Sequence, residues 1–348
     1  MANGKVPLAL RRGDTVAFIS PSARLNHIFP APLNRAKSHL VRLGYHDKLM
    51  LNHSEPLTFR HSILPRYEEI RSAFADPSIN AIICTVGGSH ANELLPYLDY
   101  ELIRMNPKIF CGYSDITVLH HALFTQASLR TFYGPAAGTE LGDYPQPLQF
   151  AIEHLLYVLQ DSVGKPIGPV PRSLEWAAKL PDIGTDSQRP REQSPSPGWT
   201  WLRPGKAIGH IFGGCLPFIL HLAGPKSWPH YRDRILLLEN PMGEKMEDPF
   251  SLTSTRAKIA DPVNLEVFEQ SNGAIVGRPY AFDEEMRDEF AQLVKDQCYG
   301  TNLLFPLNVD VGHTDPLLTV PVNAMVGLDS EKDEFIILEA GVCANNGD

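Results

Sequence analysis

Two short apolar runs in the first half of the chain constrain its fold most, because each passes directly into glycine and then into a helix-like segment. The first run, residues 81–86, is almost continuously β-favouring and leads into Gly87 and Gly88. The second, residues 109–111, leads into Gly112. Continuous apolar strands are typical of parallel sheets covered on both faces. The alternation of strand and helix therefore predicts an α/β fold with an open, mostly parallel sheet flanked by helices.

The length of the chain and a change in composition predict its domain organisation. A chain of 348 residues exceeds one typical hydrophobic core, so two domains of roughly 150 residues each are expected. Residues 164–205 are enriched in Pro, Ser and Arg, which is typical of a linker or long loop. We therefore expect an N-terminal α/β domain over residues 1–163 and a smaller C-terminal domain over residues 206–348.

The charge and hydropathy of the chain argue against two classes of partner. The net charge is -9, and no basic run offsets it, which disfavours binding to nucleic acid or to an anionic membrane. No apolar run approaches the length that crosses a bilayer, and the first residues lack the apolar core of a secretion signal. We expect a cytoplasmic protein with no nucleic-acid partner and no membrane partner.

The cysteines indicate neither a disulfide framework nor a structural metal site. They are five in number and scattered, with no C-x-x-C pair. Cys84 and Cys111 fall inside strand-like runs, where a buried, small apolar role is the simpler explanation. The strand predicted over residues 15–19 is not followed by G-x-G-x-x-G, so a dinucleotide site is disfavoured. We expect no metal and no cofactor.

Ser114 lies between the strand-like run at residues 109–111 and the helix-like segment that follows it. A hydroxyl at such a corner can project from the carboxyl edge of the sheet, where the amides of the first helical turn also point. This position suits a nucleophile whose reaction develops negative charge on an oxygen. The nucleophile-elbow pattern G-x-S-x-G, however, requires glycine where this chain has Ile116. Taken alone, Ser114 is more readily explained as a helix N-cap.

A glycine pair, Gly87 and Gly88, follows the apolar run at residues 81–86. In open parallel sheets, sites lie beyond the carboxyl ends of the strands. Two glycines allow close approach of the backbone to a ligand and can present an N–H group to it. The backbone amides of Gly88 and Asp115 are therefore candidate oxyanion-hole donors, and Gly87 is a candidate substrate contact. A tight turn with no ligand explains the glycine pair equally well.

Two further strand-like runs, both in the second half, end on titratable side chains. Residues 234–239 end on Glu239, and residues 307–311 lead through glycine to His313. Together with Ser114 these residues supply a nucleophile, a base and a carboxylate that orients the base. Singly, Glu239 could be an ordinary paired carboxylate and His313 an ordinary histidine, so only the joint pattern indicates a serine hydrolase.

Several segments of the chain resemble the serine LD-carboxypeptidase family, which includes murein tetrapeptide carboxypeptidases and microcin self-immunity peptidases. Three of them surround the predicted catalytic residues: Gly-Tyr-Ser-Asp-Ile-Thr at 112–117, Leu-Leu-Leu-Glu at 236–239 and Asp-Val-Gly-His-Thr-Asp-Pro at 310–316. Others extend the likeness across nearly the whole chain, at residues 73–77, 92–96, 132–135 and 211–216. The segment Gly-Trp-Thr-Trp-Leu, residues 198–202, is more similar to the microcin-immunity branch.

The resemblance implies a catalytic triad of Ser114, Glu239 and His313, with the amides of Gly88 and Asp115 as the oxyanion hole. It also implies an N-terminal α/β domain, a C-terminal domain of mixed strands and helices, a homodimer and no metal. Members of the family cleave an amide next to a free carboxylate or, in the immunity branch, an amide that joins a peptide to a nucleotide-like group. We therefore expect a small peptide or peptide–nucleotide-like substrate.

Three tryptophans flank the Pro/Ser-rich segment, at Trp176, Trp199 and Trp201. They can pin this segment to the body of the protein or form an aromatic wall beside the site, and packing is the commoner role. If the likeness to the immunity branch holds, they border the substrate pocket and stack on a planar group. The chain departs from the family in this segment and in residues 240–248, which affects substrate choice more than chemistry.

Two other functions are compatible with the same residues. One is acyl transfer, or hydrolysis of a small-molecule amide in a biosynthetic or detoxifying pathway. The other is a non-catalytic binding protein that keeps the α/β fold. Competition by added amines separates transfer from hydrolysis, and the absence of a burst with an activated ester would indicate the binding protein.

Overall fold

The computed structural model describes residues 4–25, 30–51, 59–181, 188–224, 226–301 and 303–344. Six strands form a first sheet, in the spatial order Val320–Pro321, Phe132–Tyr133, Ile109–Gly112, Ile79–Cys84, Thr15–Ile19 and His46–Leu49. Its neighbouring strands are parallel, except that Val320–Pro321 pairs antiparallel with Phe132–Tyr133. The predicted open, mostly parallel sheet is confirmed.

Helices cover the first sheet on both faces. They are Pro30–Leu43, Phe59–Ala75, Tyr100–Met105, Thr117–Ala127 and Gln149–Leu156, the last continued by a π-helix at Tyr157–Asp161, with 3₁₀ turns at Ala91–Leu94 and Ser114–Ile116. In the first strand, Val16 and Phe18 pack into one apolar cluster with the first helix. Ala17 and Ile19 pack into another cluster with the second helix. Successive strand residues point to opposite faces, so burial on both sides explains why the strands are continuously apolar.

A second sheet of six strands carries most of the C-terminal half. Its spatial order is Gly273–Val276, Arg234–Glu239, Lys206–Cys215, Met325–Asp329, Glu334–Ile337 and Gly168–Pro169. The first three strands are parallel and the remaining pairs are antiparallel, so this sheet is mixed, as expected. The accompanying helices are Leu216–Ile219, Leu252–Asn264, Val267–Gln270 and Glu284–Gln297, with a 3₁₀ turn at Leu220–Leu222.

The Pro/Ser-rich segment is tied to the body of the protein over much of its length. Residues 182–187 lie outside the described part of the chain. Elsewhere the segment adds an edge strand to the second sheet and forms short pairs, Glu175–Trp176 with Ser194–Pro195 and Thr200–Arg203 with Phe305–Leu307. The domain boundaries at residues 163 and 205 stay a prediction.

The two sheets meet where the helix that follows Ser114 packs on the strand Lys206–Cys215. Thr117 Oγ1 donates to the Ser114 carbonyl at 2.6 Å and accepts the Cys215 N–H at 3.0 Å. Gly214 has a φ of +143°, and a Cβ there would lie 2.5 Å from Thr117 Oγ1, so only glycine permits this approach. The carboxyl ends of both sheets therefore share one site. Among the described residues, no helix has both the length and the apolar character needed to cross a membrane.

Candidate active site

Ser114 occupies a sharp turn between the strand Ile109–Gly112 and the following 3₁₀ turn. Its φ is +65°, a left-handed backbone conformation that serine rarely adopts and that is typical of strained functional turns. The turn forms although position 116 is isoleucine. Gly112 packs closely against it, since a Cβ at Gly112 would lie 3.1 Å from Cys84 Cβ and 3.3 Å from Ile116 Cγ1. The Ser114 hydroxyl contacts His313, so in the structure it does not serve as an N-cap.

His313 lies between Ser114 and Glu239. Its Nε2 is 3.0 Å from Ser114 Oγ, and its Nδ1 is 2.8 Å from Glu239 Oε2. Because a carboxylate only accepts hydrogen bonds, Nδ1 carries the proton and Nε2 is left to accept from the Ser114 hydroxyl. Ser114, Glu239 and His313 are therefore in direct contact, although 199 residues separate Ser114 from His313 in the chain.

Glu239 is buried and stabilised as an anion by its neighbours. It is 1% exposed, and Tyr133 Oη donates to its Oε1 at 2.7 Å. Burial alone would raise the pKa of Glu239. The charge of His313 and the hydrogen bonds from His313, Tyr133 and Cys215 outweigh burial and hold this pKa below its ordinary value. Glu239 is thus a charged acceptor that can orient the imidazole and stabilise its protonated form.

Glycines provide the space in which the three side chains meet. Gly312 has a φ of +104°, and a Cβ there would lie 2.9 Å from Glu239 Cβ. A Cβ at Gly87 would lie 2.6 Å from Ser114 Cβ and 2.8 Å from Ser114 Oγ. Larger residues at these positions would displace Glu239 or Ser114, which gives both glycines a role that a plain turn does not require.

The proposed oxyanion donors, Gly88 and Asp115, lie on the two turns that border Ser114. The position of a Cβ at Gly87 is 3.5 Å from the Asp115 backbone nitrogen, so the glycine turn packs against the start of the 3₁₀ turn. The Asp115 carboxylate, through Oδ2, accepts from Ser22 Oγ at 2.5 Å and from Ala91 N–H at 2.8 Å. These bonds fix Asp115 between two neighbouring loops, which holds its own amide in place.

A cavity of about 820 Å³ opens above Ser114, with Gly87, Gly88 and His313 among its lining residues. This volume lies within the usual range of about 300–1,000 Å³ for small-molecule sites. Much of the remaining wall is apolar and comes from Leu25, Phe218, Met242, Met246, Pro249 and Phe250. Residues 241–246 lie in the segment where the chain departs from the family pattern, so the departure falls on the wall of the cavity.

The three tryptophans are engaged elsewhere, which differs from the expectation that they border the pocket. The described walls of the cavity include none of them. Trp176 is 5% exposed and covers the guanidinium of Arg278, and Trp201 Nε1 donates to Asp333 at 2.6 Å. Trp199 Nε1 donates to Asp310 at 3.2 Å. Burial of aromatic surface in packing, the other explanation considered, accounts for what the structure shows.

One group of described side chains has the donor atoms of a metal site. The ligand atoms of Cys215, Glu239 and His313 lie within 4.8 Å of one another, and sulfur, oxygen and nitrogen donors suit zinc. Burial and the Glu239 charge raise the pKa of the Cys215 thiol well above its ordinary value, so the thiol stays protonated and donates to Glu239. In the structure the three groups are therefore joined by hydrogen bonds, from Cys215 to Glu239 and between Glu239 and His313.

Sequence reasoning missed two residues that contact Glu239. Tyr133 ends a strand of two residues, too short to recognise by pattern, although it lies in a segment that resembles the family. Cys215 ends the strand paired in register with the one that ends on Glu239. The signal that both share is position at the end of a strand, which Glu239 also has. The strand-like run predicted over residues 307–311 is wrong, because the strand ends at Leu307 and His313 lies in the loop that follows.

Comparison with known proteins identifies two family models in the chain. One, described as the LD-carboxypeptidase N-terminal domain, matches residues 16–134. The other, described as the LD-carboxypeptidase C-terminal domain, matches residues 208–328. Ser114 falls in the first match and Glu239 and His313 fall in the second, so the contact described above joins the two matched regions.

Curated relatives and solved structures cover nearly the full chain. A Bacillus subtilis protein named probable murein peptide carboxypeptidase is 28% identical over 97% of this chain and 95% of its own. The microcin C7 self-immunity protein MccF of Escherichia coli is 26% identical over 96% of this chain and 95% of its own. The crystal structure of an MccF-like protein from Bacillus anthracis has a TM-score of 0.84 at 28% identity and covers 97% of this chain and 99% of that chain. An MccF structure in complex with glutamyl sulfamoyl guanosine has a TM-score of 0.87 at 24% identity, over 97% of this chain and 99% of that chain.

Proposed function

Because this chain belongs to the LD-carboxypeptidase family, we propose that it is a serine hydrolase that cleaves an amide bond of a small peptide or peptide conjugate. Ser114 is the nucleophile, His313 the general base and acid, and Glu239 the carboxylate that orients the imidazole. The single observation that carries the proposal is the continuous contact from Ser114 Oγ to His313 Nε2 at 3.0 Å and from His313 Nδ1 to Glu239 Oε2 at 2.8 Å.

In the first half of the reaction, Ser114 Oγ attacks the carbonyl carbon of the substrate while His313 Nε2 takes the hydroxyl proton. The carbonyl oxygen becomes an oxyanion, and the backbone N–H groups of Gly88 and Asp115 donate to it. The carbon–nitrogen bond then breaks, His313 gives its proton to the leaving nitrogen, and an acyl group remains on Ser114.

In the second half, water replaces the leaving amine. His313 takes a proton from the water, whose oxygen attacks the acyl carbon and forms a second oxyanion at the same site. The bond to Ser114 Oγ breaks, the oxygen regains its proton from His313, and a carboxylic acid is released. The buried negative charge of Glu239 stabilises the protonated imidazole in both halves.

The cavity supports a substrate with an apolar portion next to the scissile amide. Its volume and its Met- and Phe-containing wall suit a small peptide that carries a further group, of the kind bound in the MccF complex with glutamyl sulfamoyl guanosine. We propose the same substrate class here, a peptide or a peptide–nucleotide-like conjugate. The homodimer expected from the resemblance stays a prediction, which light scattering of the purified protein tests.

The direct test is to compare the wild type with Ser114→Ala on a panel of murein-type tetrapeptides and aminoacyl sulfamoyl nucleosides. We expect hydrolysis by the wild type and a loss of about 10³-fold or more in the variant, with an unchanged circular dichroism spectrum. Full activity in Ser114→Ala would remove this serine from the mechanism. Amide products formed with added amines would indicate acyl transfer, and inactivity of the wild type on every activated ester would favour a binding protein.

A further inference from the structure

We propose that two buried arginines, Arg278 and Arg191, are positioning residues that hold His313 beside the nucleophile. They do so by binding the two aspartates that flank His313 in the chain, Asp310 and Asp315. The inference rests on the proposed function, since it concerns the placement of the proposed catalytic base.

His313 lies in a segment that lacks regular secondary structure. Between the strands Phe305–Leu307 and Val320–Pro321, the described residues form no helix and no strand. The segment also contains Gly312, whose φ is +104°. Backbone hydrogen bonds hold the segment at Val309 and at Asp315, which exchanges two with Ala177. Between these two points the position of the imidazole also depends on the side chains that bind the segment from outside.

Arg278 binds the segment on both sides of His313. Its guanidinium contacts Asp310 Oδ1 at 2.6 Å through Nη1, Thr314 Oγ1 at 3.1 Å through Nε, and the Pro316 carbonyl at 3.1 Å through Nη2. The Arg278 side chain is fully buried. A planar guanidinium presents its donors at fixed angles, so these three contacts set the distance between the two ends of the turn that carries the imidazole.

Arg191 reaches the same segment from the Pro/Ser-rich part of the chain. Its Nη2 is hydrogen-bonded to the Asp315 carboxylate and lies 2.6 Å from Asp143 Oδ2. Its Nε also donates to Asp143, at 2.9 Å. The Asp315 side chain is fully buried, so Arg191 provides a buried positive charge two residues from His313.

Breaking either of these buried ion pairs should cost more free energy than breaking a surface salt bridge. Removing one partner of a buried pair leaves an uncompensated charge, which is strongly unfavourable. The freed Asp310 or Asp315 would move towards water and carry the His313 turn with it. A displacement of about 1 Å at a catalytic group can lower the rate about 10²-fold, so the loss is expected in kcat.

The test compares Arg278→Lys, Arg278→Gln and Arg191→Gln with Arg130→Gln. Arg130 is the control, because its side chain is 4% exposed and it is paired with Glu339 and bound to the carbonyl of Ala340, away from the His313 segment. We expect kcat to fall about 10²-fold in the first three variants with KM within about twofold. We also expect the far-downfield NMR signal of the His313–Glu239 hydrogen bond to broaden or shift. The control should keep both kcat and the signal.

Two features keep the outcome decisive if a single variant does not fold. Arg278→Lys keeps the positive charge and loses only the fork of donors. The triple variant Arg191→Gln with Asp143→Asn and Asp315→Asn removes all three charges of that buried cluster together. Folded variants that retain wild-type kcat and the unshifted signal would overturn the proposal. Ser114→Ala measured in parallel separates this result from failure of the proposed function, because the NMR signal does not require turnover.

Discussion

The phenol oxygen of Tyr133 lies 2.7 Å from Oε1 of Glu239, so a residue of the first sheet holds the carboxylate at the end of a strand in the second. The same oxygen accepts the Ser114 backbone N–H at 3.3 Å. Burial and the Glu239 charge raise the pKa of Tyr133 well above its ordinary value, so the phenol remains a donor. One hydroxyl therefore joins the backbone of Ser114 to the Glu239 carboxylate.

Tyr133→Phe removes this bond to a charged acceptor. We expect the free energy of unfolding to fall by about 1.5–3 kcal/mol and kcat to fall about tenfold, measured by urea unfolding and steady-state kinetics. Tyr231→Phe is the control, because its buried hydroxyl has no hydrogen-bond partner in the described structure. Equal effects of the two changes would contradict a specific role for Tyr133.

Gly87→Ala places a methyl group against the nucleophile. A Cβ at this position lies 2.6 Å from Ser114 Cβ, and the strained turn has little freedom to yield. We expect a loss of kcat of about 10²-fold. Gly327→Ala, whose Cβ would meet the end of the Ile336 side chain at 3.1 Å, should keep its activity. A fully active Gly87→Ala enzyme would show that the glycine pair is only a turn.

Acid should destabilise the protein through histidines that are buried in the neutral form. Burial lowers the pKa of His120 to about 4 and that of His121 to about 3, from 6.5. Between these values and 6.5 the unfolded chain binds protons that the folded protein does not. Stability therefore rises with pH across this window and levels off above 6.5.

Replacing His121 should remove one of the protons that the unfolded chain binds and the folded protein does not. We expect the slope of unfolding free energy against pH to decrease by up to about 1.4 kcal/mol per pH unit in His121→Gln, measured by urea titration across the window. The same substitution at an exposed histidine, His46→Gln, is the control. An unchanged slope in His121→Gln would exclude this histidine as a source of the acid sensitivity.

Chelation should leave the activity intact. The proposed mechanism uses the Ser114 hydroxyl and the His313 imidazole and requires no metal, and in the structure Cys215, Glu239 and His313 are joined by hydrogen bonds. We expect the same kcat before and after dialysis against EDTA. Loss of activity on dialysis and recovery with added zinc would mean that the site uses a metal.

The parts of the site that the sequence predicts are those marked by patterns of neighbouring residues. Residues 81–86 and 109–111 predict strands because burial on both sheet faces requires uninterrupted apolar residues, and the structure has strands at Ile79–Cys84 and Ile109–Gly112. Glu239 ends such a strand, whereas His313 follows the alternating residues 307–311, where the strand ends at Leu307. The turn at Ser114 is predicted only in part, because the chain has isoleucine at position 116, where the elbow pattern has glycine.

What could not be predicted depends on contacts between distant parts of the chain. Tyr133 meets Glu239 across 106 residues, and Arg191 meets Asp315 across 124 residues. The tryptophans show the same limit, because an aromatic residue that packs on Arg278 and one that lines a pocket give the same sequence signal. Only the folded arrangement distinguishes the two roles.

Mass spectrometry of the protein mixed with an activated ester or slowly hydrolysed amide shows directly whether Ser114 is acylated. We expect an adduct with the mass of the acyl group, located by peptide mapping on Ser114 and lacking in Ser114→Ala. We also expect the adduct to form far more slowly when His313 is replaced by Ala. Turnover of the same substrate with no adduct on Ser114, together with undiminished activity in Ser114→Ala, would contradict the proposed mechanism.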